Sequence, residues 1–91
     1  MVAKDDFEIE LPLKLVPVLR AFLKQKGLWY DGPKSLGEKR FSFLISGQPN
    51  LEMVIKYLRT LDGPPEPNQE YLIVIYEGEN ELAHISLKHK K

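Results

Sequence analysis

The chain has 91 residues, no cysteine, and 13 basic against 13 acidic side chains, so its formal net charge is zero. The length allows one domain, residues 1–91, with a single modest core, and 43% hydrophobic with 29% charged residues is a globular rather than a disordered balance. The missing cysteines exclude disulfides, thiolate catalysis and cysteine-based zinc sites, and the neutral total argues against indiscriminate nucleic-acid binding.

No apolar run approaches the roughly 20 residues of a membrane helix, and MVAKDDFEIE lacks the apolar segment of a signal peptide. The expected location is cytoplasmic, with no membrane partner. The signs of charge are unevenly placed. Residues 1–11 sum to −3, residues 12–40 to +5, residues 41–70 to −2 and residues 71–91 to zero. A local basic patch is therefore compatible with a neutral whole.

Phe7-Glu8-Ile9-Glu10-Leu11 alternates strictly, which predicts a half-buried strand with its glutamates outward. The polar residues 1–6 before it are expected to fray. In residues 12–27, Leu15, Val16, Val18, Leu19, Phe22 and Leu23 recur at steps of three and four, the pattern of an amphipathic helix. Pro17 is tolerated only in a first turn, so the regular helix is expected from about Lys14 or Val16 to Lys26, with Gly27 beyond its end.

Leu28-Trp29-Tyr30 reads as a short second strand, and residues 31–37, with two glycines and a proline, as a loop. Arg40–Ser46 reads as a third strand, with Phe41, Phe43 and Ile45 on one face. Gly47-Gln48-Pro49 turns the chain, and Asn50 is the expected N-cap of a second helix. That helix carries the stripe Leu51, Val54, Ile55, Leu58 and Leu61, and Gly63-Pro64 stops it. The proline-rich residues 62–69 then form a stiff connector.

Tyr71-Leu72-Ile73-Val74-Ile75-Tyr76 is β-branched and aromatic throughout, as in an interior strand. Glu77-Gly78-Glu79-Asn80 reads as a tight turn, and residues 81–87 as the returning strand. Lys88-His89-Lys90-Lys91 reads as a flexible tail. The order β-α-β-β-α-β-β implies an α+β fold, an antiparallel sheet with two helices on one face. It corresponds to the split β-α-β, or ferredoxin-like, plan with an extra C-terminal edge strand.

Three features could carry function. The first is the outer sheet face, where alternation places Leu44, Leu72, Val74, Tyr76, Leu82 and His84 away from the helices. A contiguous apolar patch with a polar rim marks a partner surface. The second is the segment from Trp29 to Phe41, in which Trp29 and Tyr30 stand beside Lys34, Lys39 and Arg40. Aromatics beside a cationic loop suit RNA or single-stranded DNA; the competing structural role has Trp29 capping the core under the first helix. The third is His84, a general base only if Glu8 or Glu10 reaches it.

There is no nucleophile elbow and no phosphate loop. His84 and His89 are too poorly spaced to suggest a metal site, and no cofactor is expected. The sequence is read as that of a non-enzymatic, protein-binding or regulatory domain that acts through its outer sheet face or an edge strand and whose partner is another protein or a second copy of itself. RNA or single-stranded DNA binding is the alternative, and an enzyme centred on His84 is the third reading.

Overall fold

The computed structural model describes residues 6–89. β1 spans Asp6–Pro12, so pairing takes in Asp6, one residue earlier than the alternation suggested. β1 ends where Pro12 has no N–H to give. The next amide, that of Leu13, donates to the Lys39 carbonyl at 2.9 Å. A 3-10 turn, Leu13–Leu15, then feeds α1, Val16–Gln25. This turn places Pro17 in the first turn of α1, where a missing N–H costs no helical bond. α1 buries Val16, Leu19, Phe22 and Leu23. Its end is a Schellman motif: Leu28 N–H donates to Leu23 O and Gly27 N–H to Lys24 O. Gly27 takes the left-handed turn this requires, at φ 67°.

The expected loop at residues 31–37 is instead strand. β2 spans Tyr30–Gly37, and Leu28 and Trp29 lie before it. Glycine and proline weaken a central strand, but an edge strand leaves half its backbone unpaired and tolerates both. β2 is such an edge, with register shifts between Asp31 and Lys34 and between Ser35 and Gly37. A two-residue turn, Glu38-Lys39, leads into β3, Arg40–Ser46, as expected.

α2 spans Gln48–Leu58. Gly47, not Asn50, holds the N-cap position, and Pro49 lies in the first turn rather than in a preceding bend. Asn50 serves the same junction from inside the helix: its Nδ2 donates to the Ser46 carbonyl at 2.8 Å. The helix stops five residues before Gly63, and Leu61 is half-buried beyond it. The connector presses on the far end of the sheet. A Cβ on Gly63 would lie 2.1 Å from the Lys88 carbonyl oxygen. Pro64 is buried, and His89 Nδ1 lies 3.0 Å from the Pro64 carbonyl. His89 is thus half-buried rather than set in a free tail, and Lys88 belongs to a strand. The expectations for residues 1–5 and 90–91 fall outside the described residues.

β4, Glu70–Glu77, and β5, Asn80–Lys88, close the chain. The five strands form one antiparallel sheet in the order β2-β3-β1-β4-β5. Register fixes the two faces. Phe7, Ile9 and Leu11 stand opposite Ile45, Phe43 and Phe41, and Ile9 stands opposite Ile75. These side chains enter one core with Ile73, Ile85 and Leu87 and with the buried stripes of both helices. Leu51, Val54 and Leu58 of the expected second stripe are buried, and Ile55 is half-buried. The Phe22 and Tyr57 rings stack at 4.1 Å and tie the helices together. Trp29 does not cap this core: it is 57% exposed.

Candidate functional site

Both helices pack on the face of Phe7 and Ile9, so the other face of the sheet has no layer above it among the described residues. The residues expected there occupy it in three different ways. Leu72 is 40% exposed on β4 and Leu82 is 47% exposed on β5. Leu82 is the extra residue of a bulge, because Ile75 pairs with Ala83 while Tyr76 pairs with Glu81. Leu44 and Tyr76 are half-buried, and they stand on opposite sides of Glu8 across three adjacent strands.

Val74 differs from its neighbours: only 7% of it is exposed. It sits in an interior strand, between Glu10 and His84 across the ladders and between Leu72 and Tyr76 along the chain. Small and β-branched, it is shaded by longer side chains on all four sides. Val74 therefore supports the face from below rather than presenting itself to a partner.

His84 is exposed, and its Nδ1 lies 3.5 Å from Glu81 Oε2. The bulge at Leu82 is what brings this pair to one side of the strand. Glu8 and Glu10 lie two strands away on β1, with β4 between, so neither serves as the orienting group considered for His84.

The aromatic and basic segment is dispersed by the fold. Tyr30 turns to the core side, edge-on to Phe43 with ring centroids 5.8 Å apart. Lys34 pairs opposite Ser42 on the outer face, and Lys39 sits in the hairpin turn. Arg40 is engaged: Nε donates to Glu10 Oε2 at 3.0 Å and Nη1 to the Leu72 carbonyl at 2.7 Å. Continued past Glu10 and Val74, the β1–β4 register sets Leu72 opposite Pro12, which has no N–H, and Arg40 supplies the missing donor.

A concavity of about 250 Å³ opens at one end of the outer face. Asp6 and Glu8 of β1, Ser42 and Leu44 of β3, and Asp31, Gly32 and Lys34 of β2 line it, with Gly78 from the last turn. β2 comes close because Gly32 has no side chain; a Cβ there would meet the Ser42 carbonyl oxygen at 2.7 Å. The sequence offered no sign of this site, since Asp31–Lys34 read as loop and Ser42 carries no local pattern that sets it apart from the other polar residues of its strand. Among the described residues, no group of three or more His, Cys, Asp or Glu side chains is placed to hold a metal ion, and no helix is long and apolar enough to cross a membrane.

Carboxylates dominate the electrostatics of this face. Partial desolvation, then repulsion from Glu10, Glu81 and Glu8, holds the Tyr76 phenol above its ordinary pKa of 10.0, with Arg40 opposing. No protein-family model, no curated protein and no solved structure matches the chain.

Proposed function

We propose that this chain is a small protein-binding domain, a regulator of a larger partner or a self-associating module, and that it works through its outer sheet face. One observation carries the reading: Leu72 and Leu82, 40% and 47% exposed, share with the half-buried Leu44 and Tyr76 a face of the sheet, across β3, β4 and β5, over which no described residues form a layer. Apolar area presented on a rigid sheet and ringed by charge is the composition of a docking surface. The absence of cysteine suits a reducing, cytoplasmic setting.

The same reading takes the fold as the split β-α-β, ferredoxin-like plan with an added edge strand. In its support, α1 joins β1 to β2 with β3 between them, and α2 joins β3 to β4 with β1 between them. The sheet has five strands, one more than that plan.

Leu72→Glu tests the binding role. At an exposed position a charge costs little in the monomer, whereas inside an interface it is desolvated and unpaired, at a cost of about 2 kcal/mol or more. The variant is expected to keep its circular dichroism and lose self-association in light scattering, or lose its protein partner in nuclease-treated pull-down. A folded Leu72→Glu variant with unchanged association removes this face as the interface.

A further inference from the structure

The concavity beside Leu44 has a chemistry the rest of the outer face lacks. Three carboxylates, those of Asp6, Glu8 and Asp31, border it against the single ammonium of Lys34. Asp6 accepts a hydrogen bond from the Ser46 hydroxyl at 2.7 Å. Glu8 and Asp31 make no side-chain hydrogen bond or ion pair among the described residues, with Lys34 or any other group. The outer face thus commits the Glu10 charge to Arg40 and leaves these two uncommitted.

Ser42 supplies the second observation. It is 3% exposed and is the one buried polar residue among those described. Its hydroxyl makes no hydrogen bond among the described residues. Yet no wholly inaccessible side-chain polar atom is left without a partner. The hydroxyl therefore opens into the concavity that Ser42 lines. A buried hydroxyl on the floor, with free carboxylates at the walls, is a set of acceptors waiting for a donor.

The volume limits what that donor is. At about 250 Å³ the site is smaller than the roughly 300–1,000 Å³ of sites for drug-sized ligands and cofactors. Among the described residues, no group of three or more His, Cys, Asp or Glu side chains is placed to hold a metal ion here. A single long cationic side chain fits. A guanidinium presents five N–H donors in a flat fork and reaches separated acceptors at once, which the compact lysine ammonium does not.

We infer that this pocket receives an arginine side chain of the protein segment that docks on the outer face, with Glu8 and Asp31 taking its charge and the Ser42 hydroxyl accepting one of its N–H groups. This rests on the proposed docking role. Leu44 belongs both to the pocket and to the apolar face, so one segment carrying an arginine beside apolar residues covers the two together. Lys34 opposes the incoming charge and limits the affinity.

The test uses the full chain, isotope-labelled, in amide-shift titrations. The probes are N-acetyl-arginine methylamide and its neutral isostere, N-acetyl-citrulline methylamide. The arginine probe is expected to give saturable millimolar binding, with shifts at Glu8, Asp31, Gly32, Ser42 and Leu44, and the citrulline probe none. Glu8→Gln with Asp31→Asn should weaken binding by about tenfold or more, the loss of a charge-assisted contact, and Lys34→Ala should strengthen it. Equal shifts from both probes, non-saturating shifts at every surface carboxylate, or binding unaffected by these substitutions overturns the inference; the comparison of probes on the unaltered chain decides even if a variant fails to fold. The two readings fail separately. Loss of association in Leu72→Glu without arginine binding leaves docking standing and the pocket wrong. Arginine binding with association indifferent to Leu72→Glu leaves the pocket standing and removes the face.

Discussion

The β4–β5 hairpin pairs at eight positions with one irregularity, after Ile75, whereas β2–β3 pairs at five positions with two. Their turns differ in the same sense. Gly78 takes positive φ, 62°, at the first central position of its two-residue turn. Glu38 and Lys39 both take positive φ, 51° and 63°, without a glycine between them. Burial follows: Ile73, Ile75, Ile85 and Leu87 enter the core, while only Tyr30 of β2 packs against it. One hairpin is held by its own pattern and turn. In the other, β2 is held by β3, whose Phe43 and Ile45 lie in the core, and by the sheet whose edge it forms. The two outer edges are also treated differently, since Gly63 and the connector press on the end of β5, while bulges interrupt β2.

The sharpest break in that contrast comes from truncating one apolar side chain in each hairpin. Ile73 is wholly buried and Leu36 is 43% exposed. Ile73→Ala should cost about 2–5 kcal/mol, the transfer term plus a cavity. Leu36→Ala should stay within about 0.5 kcal/mol. Urea unfolding of both variants measures the difference, and equal losses would mean that β2 contributes to the core as β4 does.

Next in size is the seal at the β5 edge. Gly63→Ala drives a Cβ against the backbone carbonyls of Leu87 and Lys88, neither of which is a flexible side-chain end. The connector or the strand has to move, at about 1–3 kcal/mol. Hydrogen exchange should locate the damage at Leu87 and Lys88, leaving β2 unchanged. Uniform loss of protection would show that the edge is not a local unit.

The turns should respond with opposite signs. Gly78→Ala places a Cβ at positive φ and should cost about 1 kcal/mol, with no neighbouring atom within 4 Å to clash. Lys39→Gly relieves a side chain already held there, and part of that gain is lost to the more flexible unfolded chain. A net stabilisation of about 0.5 kcal/mol is expected. If both substitutions destabilise in urea, the Glu38-Lys39 turn is not strained.

This contrast also explains what the sequence conveyed. Wherever burial is one-sided, period-two or period-three-and-four spacing registers it: β3 is read to the residue from Phe41, Phe43 and Ile45, and the core stripes of α1 and α2 from their leucines and valines. β2 has no such signature, because an edge strand with little core contact is free to be polar and to contain Gly32 and Pro33. Asn50 misled for a related reason. Its amide serves the helix start from within, by donating to Ser46, and residue type alone does not separate that from a cap. The outer face was legible as alternation, but Val74's burial and Ser42's exposure to a cavity depend on neighbours from other strands. No local pattern encodes those.

The smallest expected effect concerns the charge that the β4–β5 hairpin shares with β1. The phenol of Tyr76 is held above its ordinary pKa of 10.0, first by partial desolvation and then by Glu10, Glu81 and Glu8. The folded chain therefore holds this proton more tightly than the unfolded one. Its contribution is complete below about pH 10 and is lost as pH rises through the folded value, because there the unfolded state has already released the proton. Tyr76→Phe removes this dependence. Other groups titrate in the same range, so the quantity to read is the difference between the two proteins, from urea midpoints at about pH 8 and about pH 11. The stability of Tyr76→Phe relative to the unaltered chain should rise between those points, and Glu10→Gln in the unaltered background should shrink the rise. Parallel stabilities at both pH values would mean that the carboxylates of β1 and β5 do not act together on this side of the sheet, and that the acidic character of the face is local to the pocket.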